Sequence, residues 1–199
     1  MVDVGANIGY FTVLGATLIG NRSTGRVFSF EPNPKLAALA RRNLEINWSM
    51  APITFHEAAV ADFSGEVVLH IPPGHGANAS RSAPVEFDCE ERCVPAVRLD
   101  DILPSELVVD LLKIDVEGHE AGVLRGAREV IARSPNLRLI MEWSQRQMKQ
   151  AGVNTAEIVE ILDGFTPHRI EIGSTPLAHP ESFEWLMAQD YADVLFVRI

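Results

Sequence analysis

The 199 residues are 47% hydrophobic and 22% charged, an ordinary soluble composition and enough chain for one globular domain with a substantial core. A formal net charge of −10 and a pI near 5.0 argue against nucleic acid as a partner. Phosphate binding calls for a basic stripe, and the dense basic spot here is only Arg41-Arg42. No apolar run is long enough to span a bilayer, and Asp3 and Asn7 interrupt the apolar N-terminal stretch. A cytoplasmic location is therefore expected, and nothing in the composition fixes an oligomeric state. Cys89 and Cys93 lack the further ligands a zinc site needs and read as ordinary thiols.

Short β-branched runs alternate with helical stretches from the first residue. Val2–Val4 reads as the end of a strand, residues 10–19 as an apolar helix closed by Gly20, and Val27–Phe30 as the next strand. Residues 34–47 form a helix with Leu36, Leu39, Ala40 and Leu44 on one face, and Ile53–His56 is a third strand. Val67–Ile71 and Val94–Leu99 flank a loop at 72–84 rich in Gly, Pro, Ser and Asn. Leu111–Ile114 is almost wholly apolar, as the buried middle of a parallel sheet should be.

The helix that follows places Val123, Leu124, Ala127, Val130 and Ile131 on one face, and Leu137–Met141 is the fifth strand. Asn154 with Glu157 predicts a reciprocally capped helix running to Leu162 and closed by Gly164. The tail gives a strand at His168–Ile172, a helical turn at 181–188 and a strand at Val194–Ile199. Repeated strand–helix units predict an α/β, doubly wound, mostly parallel sheet with an antiparallel edge, in one domain over residues 1–199.

In such a sheet a ligand sits beyond the carboxyl ends of the strands, where the first strand turns into its helix. The segment VDVGANIGYF, residues 2–11, occupies that turn, with Gly5 and Gly9 allowing a tight bend and a close approach. Asp3 precedes the turn, where a carboxylate suits a cationic amino group and would repel a pyrophosphate. Glu31 ends the second strand, where a carboxylate can accept both hydroxyls of a ribose. The spacing is G-x-N-x-G and not G-x-G-x-x-G, which disfavours a nicotinamide-dependent oxidoreductase.

Asp115 falls at the end of the fourth strand, with Glu117, His119 and Glu120 on the turn and helix start beyond it. A reaction at a hydroxyl needs an aligned oxygen and a base for its proton. Glu117 or His119 is placed to be that base or to orient substrate, with Asp115 shaping the cofactor side. Glu120 reads as a first-turn acid facing the helix dipole. Glu142 closes the fifth strand and is expected to hydrogen-bond substrate; two acids alone make no metal site, and none is expected.

VDVGANIGYF at 2–11, FSFEPNP at 28–34, LLKIDVEGHE at 111–120 and IMEW at 140–143 occur in this order over nearly the whole chain. In these segments the sequence resembles the FkbM-type family of S-adenosylmethionine-dependent methyltransferases. The resemblance implies a seven-stranded Rossmann-like methyltransferase sheet. It also implies that Gly5, Asn7 and Gly9, with Ala6, Tyr10 and Phe11, surround the methionine end of S-adenosylmethionine. Glu31 would bind its ribose, with Pro32 and Asn33 beside the adenosine and Ala59 and Asp62 at the adenine. Asn78, Ser80 and Arg81 would lie on a loop over the pocket, contacting the acceptor. The implied reaction is methylation of a hydroxyl on a small-molecule, sugar or lipid-like acceptor; the alternative is a cofactor-binding or scaffold domain of the same fold without catalysis. Related enzymes carry a helical segment ahead of the first strand, so the chain reads as starting within its motif.

Overall fold

A computed structural model describes residues 1–21, 24–48, 51–73, 89–171, 173 and 177–199. The centre of the molecule is β1 (Val2–Val4), paired in parallel on one side with β2 (Val27–Phe30) and on the other with β7 (Leu111–Ile114). β2 continues to β3 (Ile53–His56), and β7 to β8 (Arg138–Ser144), both parallel. The run is apolar because both faces are covered. Val2, Val4, Phe30, Leu112, Ile114, Leu139 and Met141 are all buried, as expected for strands packed between two helical layers.

Beyond β8 the sheet turns antiparallel. β11 (Tyr191–Arg198) inserts between β8 and β9 (Phe165–Ile170), and a short β10 (Ala178–Pro180) pairs with the outer edge of β9. The full order is β10-β9-β11-β8-β7-β1-β2-β3. Seven of these strands make the expected sheet with its antiparallel edge; β10 is an eighth. Three residues ending in proline give no alternation to read, because only pairing with β9 defines them as a strand.

A second sheet sits apart from the first: β5 (Gly65–Ile71) and β6 (Glu90–Val97) form an antiparallel pair, and β4 (Ala59–Val60) adds to β6 in parallel. The runs at Val67–Ile71 and Val94–Leu99 thus fall in one antiparallel pair, and the inward row Val67, Leu69 and Ile71 packs on Val94 and Ala96. β6 ends at Val97, short of the expected Leu99, because Leu99 opens the helical turn α3 (Leu99–Ile102).

Helix α1 (Tyr10–Ile19) starts at Gly9, whose φ of 84° lies in the left-handed region. Helix α2 (Pro34–Ile46) is capped by Asn33, whose side chain accepts from the Lys35 amide at 3.1 Å, with proline in the first turn. The single helix expected after β7 is two, α4 (Glu120–Arg125) and α5 (Arg128–Ala132), although its five apolar residues are all buried as one face. The break lies at Gly126, where a Cβ would stand 2.0 Å from the Ala61 carbonyl oxygen. After β8 come α6 (Gln145–Gln150) and α7 (Thr155–Ile161), and α8 (Phe183–Met187) precedes β11. Asn154 caps α7 by accepting from the Ala156 amide, but the reciprocal half of the expected box is replaced. Glu157 sends its carboxylate to Arg125 at 2.9 Å, and the same guanidinium holds Asp62 at 2.7 Å.

Gly126 is thus a position where space, not conformation, requires glycine. Gly126→Ala is expected to destabilise the protein by about 1–3 kcal/mol, since the added methyl must push backbone aside. Chemical denaturation of the two proteins measures this; equal midpoints would show that the α4–β4 contact is loose.

Candidate active site

The carboxyl ends of β1, β2 and β7 open into one cleft. Gly5, Asn7, Glu31, Pro32, Ala59, Asp115, Glu117 and His119 line it, together with apolar walls from Leu36, Ala58 and Leu69. Its empty space is ≈ 780 Å³, the open mouth included.

The glycine turn is fixed from two sides. The amides of Gly5 and Ala6 both donate to the Phe30 carbonyl, at 3.0 and 2.9 Å, which docks the turn on the end of β2. On the other side Gly5 faces Asp115 so closely that a Cβ would stand 1.8 Å from the Asp115 carbonyl oxygen, and its φ is +76°. No side chain fits there on either count. Asn7 follows in the left-handed region, at φ 54°.

Glu31 is 5% exposed. The Asn7 amide donates to its Oε2 at 2.7 Å and the Asn33 amide to its Oε1 at 2.8 Å. Burial pushes its carboxyl above the ordinary range, and the two amides pull the other way. Each oxygen keeps a lone pair for another donor, so this pinned carboxylate can accept from two adjacent hydroxyls.

The opposite wall is acidic. Glu117 is held at φ 55°, a left-handed conformation that a non-glycine residue rarely adopts. Its Oε2 accepts from the Gln147 side-chain amide on α6. Burial, then the negative charges of Glu142, Asp115 and Glu120, push its carboxyl up to about 7. Glu120 is 1% exposed and accepts from the Gly118 amide at 3.1 Å. Burial raises it to about 7 as well, so it is more than a solvated first-turn acid. Glu142, in the middle of β8's outer half, is raised by burial and by Asp115, while its hydrogen bond from the Tyr191 hydroxyl lowers it.

Several residues expected at the cofactor lie elsewhere. Asp3 is fully buried beneath the cleft: its Oδ2 accepts from the Thr12 hydroxyl at 2.6 Å, and Lys113 Nζ stands 3.6 Å from its Oδ1. The cation that Asp3 meets is thus an internal lysine. Asn33 is fully buried, caps α2 with its side chain and donates its amide to Glu31. Asp62 is turned to Arg125. Ala6 is buried within the turn and Gly9 packs on Ala40, 3.4 Å from where its Cβ would be. Tyr10 and Phe11 are exposed on α1, stacked edge to face on each other and outside the cleft walls. Glu142 is not among the residues that line the cleft, although its charge acts on Glu117. Ser80 and Arg81, with Asn78, fall outside the described residues.

Two residues of the site were not singled out from the sequence. Lys113 donates to the Gly5 carbonyl at 2.6 Å and stands 3.4 Å from Asp115, so one ammonium joins the turn to the acidic wall. Its signal was present: a lysine inside an apolar central strand must have a buried partner. Gln147 left no signal, because nothing in the sequence of a short polar helix says that it reaches Glu117.

The raised acids set a sign for stability against pH. A carboxyl whose folded value lies above its ordinary 4.5 favours folding while protonated, and that contribution is lost as pH rises from 4.5 to about 7. Glu120→Gln is therefore expected to stabilise the protein above about pH 7, by on the order of 1–3 kcal/mol, and to change little near pH 4.5. Denaturant midpoints at the two pH values decide it; a loss of stability at the higher pH would mean that Glu120 is ionised and held by a partner.

Residues 3–169 match the model of the Methyltransferase FkbM domain. The 2-O-methyltransferase NoeI of Sinorhizobium fredii is 26% identical over 182 residues, covering 83% of this chain and 71% of that protein. Methyltransferase 1 of Beauveria bassiana and methyltransferase sdnD of Sordaria araneosa are each 28% identical, and the chain spans 57% and 60% of their lengths. A solved structure from Klebsiella pneumoniae, described provisionally as an O-methyltransferase, superimposes with a TM-score of 0.54 at 14% identity, over all of this chain and 72% of that one. That likeness shows the fold, and no helix among the described residues is long and apolar enough to cross a membrane. The chain belongs to the FkbM methyltransferases, whose cofactor is S-adenosylmethionine.

Proposed function

We propose that this chain moves a methyl group from S-adenosylmethionine to a hydroxyl of a small-molecule acceptor, with Glu117 as the general base. The observation that carries the reading is Glu117 itself: a cleft-lining carboxylate in a left-handed turn, its proton affinity raised to about 7. A base works best when its pKa lies near the working pH, because it is then both ionised and strong enough to take a proton. Strained backbone held in place by its surroundings is also more common at working sites than elsewhere.

The residues present fit the cofactor. Glu31, with a free lone pair on each oxygen, suits the ribose hydroxyls. The apolar walls from Leu36, Ala58 and Leu69 suit a flat purine, and Gly5, packed against the Asp115 carbonyl, gives the cleft a lining without a side chain. When bound, S-adenosylmethionine supplies an electrophilic methyl on a sulfonium centre.

The chain's own part is to orient and to move one proton. Gln147 holds the Glu117 carboxylate through Oε2, and that carboxylate lines the cleft, where an acceptor hydroxyl can donate to it. Desolvation would strengthen that hydrogen bond, and the proton would pass to Glu117 as the acceptor oxygen takes the methyl, the sulfonium–methyl bond breaking to leave a neutral thioether. His119, on the same wall at the start of α4, is placed to orient the acceptor. The name of the Sinorhizobium relative supports oxygen as the atom methylated.

Two outcomes test this. Glu31→Gln is expected to weaken binding of S-adenosylhomocysteine by about tenfold, the loss of one charge-assisted hydrogen bond; calorimetric titration giving the wild-type affinity would move the ribose elsewhere. Glu117→Gln is expected to lower kcat by about 10²–10⁴ with S-adenosylhomocysteine affinity kept, using labelled methyl donor and a panel of hydroxylated acceptors. In the wild type the rate should rise with pH through about 7 and then level, because the base must be ionised. A flat profile with full activity in Glu117→Gln removes Glu117 from the reaction.

A further inference from the structure

We propose that the acceptor carries a protonated amine beside its reacting hydroxyl, and that the acids ending β7, β8 and β11 form the subsite for that ammonium; the inference rests on the hydroxyl-methylation reading above. Its first support is placement. Ile114 of β7 is in register with Met141 of β8, so Asp115 follows next to Glu142, and Glu142 is paired directly across from Asp193 of β11. Like charges directly opposite on neighbouring strands repel, so a row of three acids is unfavourable unless something cationic meets it. Glu117 and Glu120 stand within Coulombic range of Glu142, which makes the region five acids deep.

The second support is unmet hydrogen bonding. Among the described residues, buried Glu120 Oε2, Glu142 Oε2 and Gln147 Oε1 have no hydrogen-bond partner, and Glu120 is 1% exposed. An ionised carboxylate and an amide oxygen only accept. The region is therefore short of donors as well as of positive charge. Lys113 approaches Asp115 at 3.4 Å, but its Nζ is already committed to the Gly5 carbonyl and to Asp3. A primary ammonium brings three donors and one positive charge, which answers both deficits. No group of three or more ligating side chains among the described residues has the geometry to hold a metal ion, so an organic cation fits better than a divalent one.

Access follows from the cleft: Asp115 and Glu117 line it, so a group bound to the acceptor can reach the row from the cofactor side. A carboxylate- or phosphate-bearing acceptor would instead add negative charge to a partly desolvated acidic wall. The ammonium would also favour the ionised form of Glu117, so that the base is generated where its substrate is present.

The test uses a matched set that keeps one ring and one hydroxyl: 2-aminocyclohexanol, cyclohexane-1,2-diol and 2-hydroxycyclohexanecarboxylate. Their binding to the wild-type protein saturated with S-adenosylhomocysteine is measured by NMR titration. The amine is expected to bind at least about tenfold more tightly than the diol, and the carboxylate least of the three. Equal or tighter binding of the diol or carboxylate, or no amine preference because none binds, overturns the proposal. In Glu142→Gln the amine preference should shrink severalfold while S-adenosylhomocysteine affinity stays within about twofold. If cofactor affinity falls instead and the amine preference stays, the row belongs to the amino-acid end of the cofactor and the proposal fails. These readouts need no turnover, so an amine preference without methyl transfer would count against the hydroxyl-methylation reading alone.

Discussion

The site depends on one buried cation. Lys113 rises from the central strand β7 in register with Asp3 of β1, and its ammonium reaches the Gly5 carbonyl, Asp3 and Asp115. A lysine and an aspartate this deep are costly to desolvate, and removing either partner would leave an unpaired charge in the core. The pair is therefore weak support for stability in itself. What it does is fix a relationship: the cofactor turn, which begins at Gly5, and the acidic wall, which begins at Asp115, cannot drift apart while both hold the same ammonium. The 1.8 Å that separates a hypothetical Gly5 Cβ from the Asp115 carbonyl shows how tightly that relation is drawn.

From this junction the two sides of the cleft acquire opposite characters. On the β2 side Glu31 is surrounded by donors, the amides of Asn7 and Asn33, and is set to accept from a diol. On the β8 side Glu117, Glu120 and Glu142 stand near other acids, and burial with the neighbouring negative charge raises all three. Burial raises Glu31 as well, and what sets it apart is the pair of amides that pull the other way. Two amides pin the carboxyl on one side, while desolvation and neighbouring negative charge raise the carboxyls on the other.

Much of this could be read from the chain, and the parts that could not share a cause. β1, β2, β3, β7 and β8 were legible because buried parallel strands are nearly all apolar, and the glycine turn and Glu31 because their positions follow from strand ends. Glu117 and His119 were legible because the turn after β7 points into the same crevice. Asp3, Asn33 and Asp62 were misplaced because a motif gives an address and no direction: Asp3 turns down to Thr12 and Lys113, Asn33 caps its own helix, and Asp62 meets Arg125. Pairings of this kind join residues far apart in sequence, and no local pattern encodes them. The break between α4 and α5 was hidden for the same reason, since its cause is the Ala61 carbonyl.

The strain at Glu117 ties these points together. A glycine at this position would adopt φ 55° without cost, and Gly118 lies next to it, yet a glutamate occupies the left-handed residue. Conformational economy alone would not choose it. The turn sets the carboxylate against Gln147 from α6 and directs it to the cleft, and a residue in an ordinary helical or extended conformation would send its side chain elsewhere. The backbone energy held there, on the order of 1 kcal/mol or more, is thus matched by the contacts of α6 and α4 around it. The strain, the raised proton affinity and the place on the cleft wall thus belong to one arrangement, since the contacts that hold the left-handed turn also keep the Glu117 carboxylate facing the cleft.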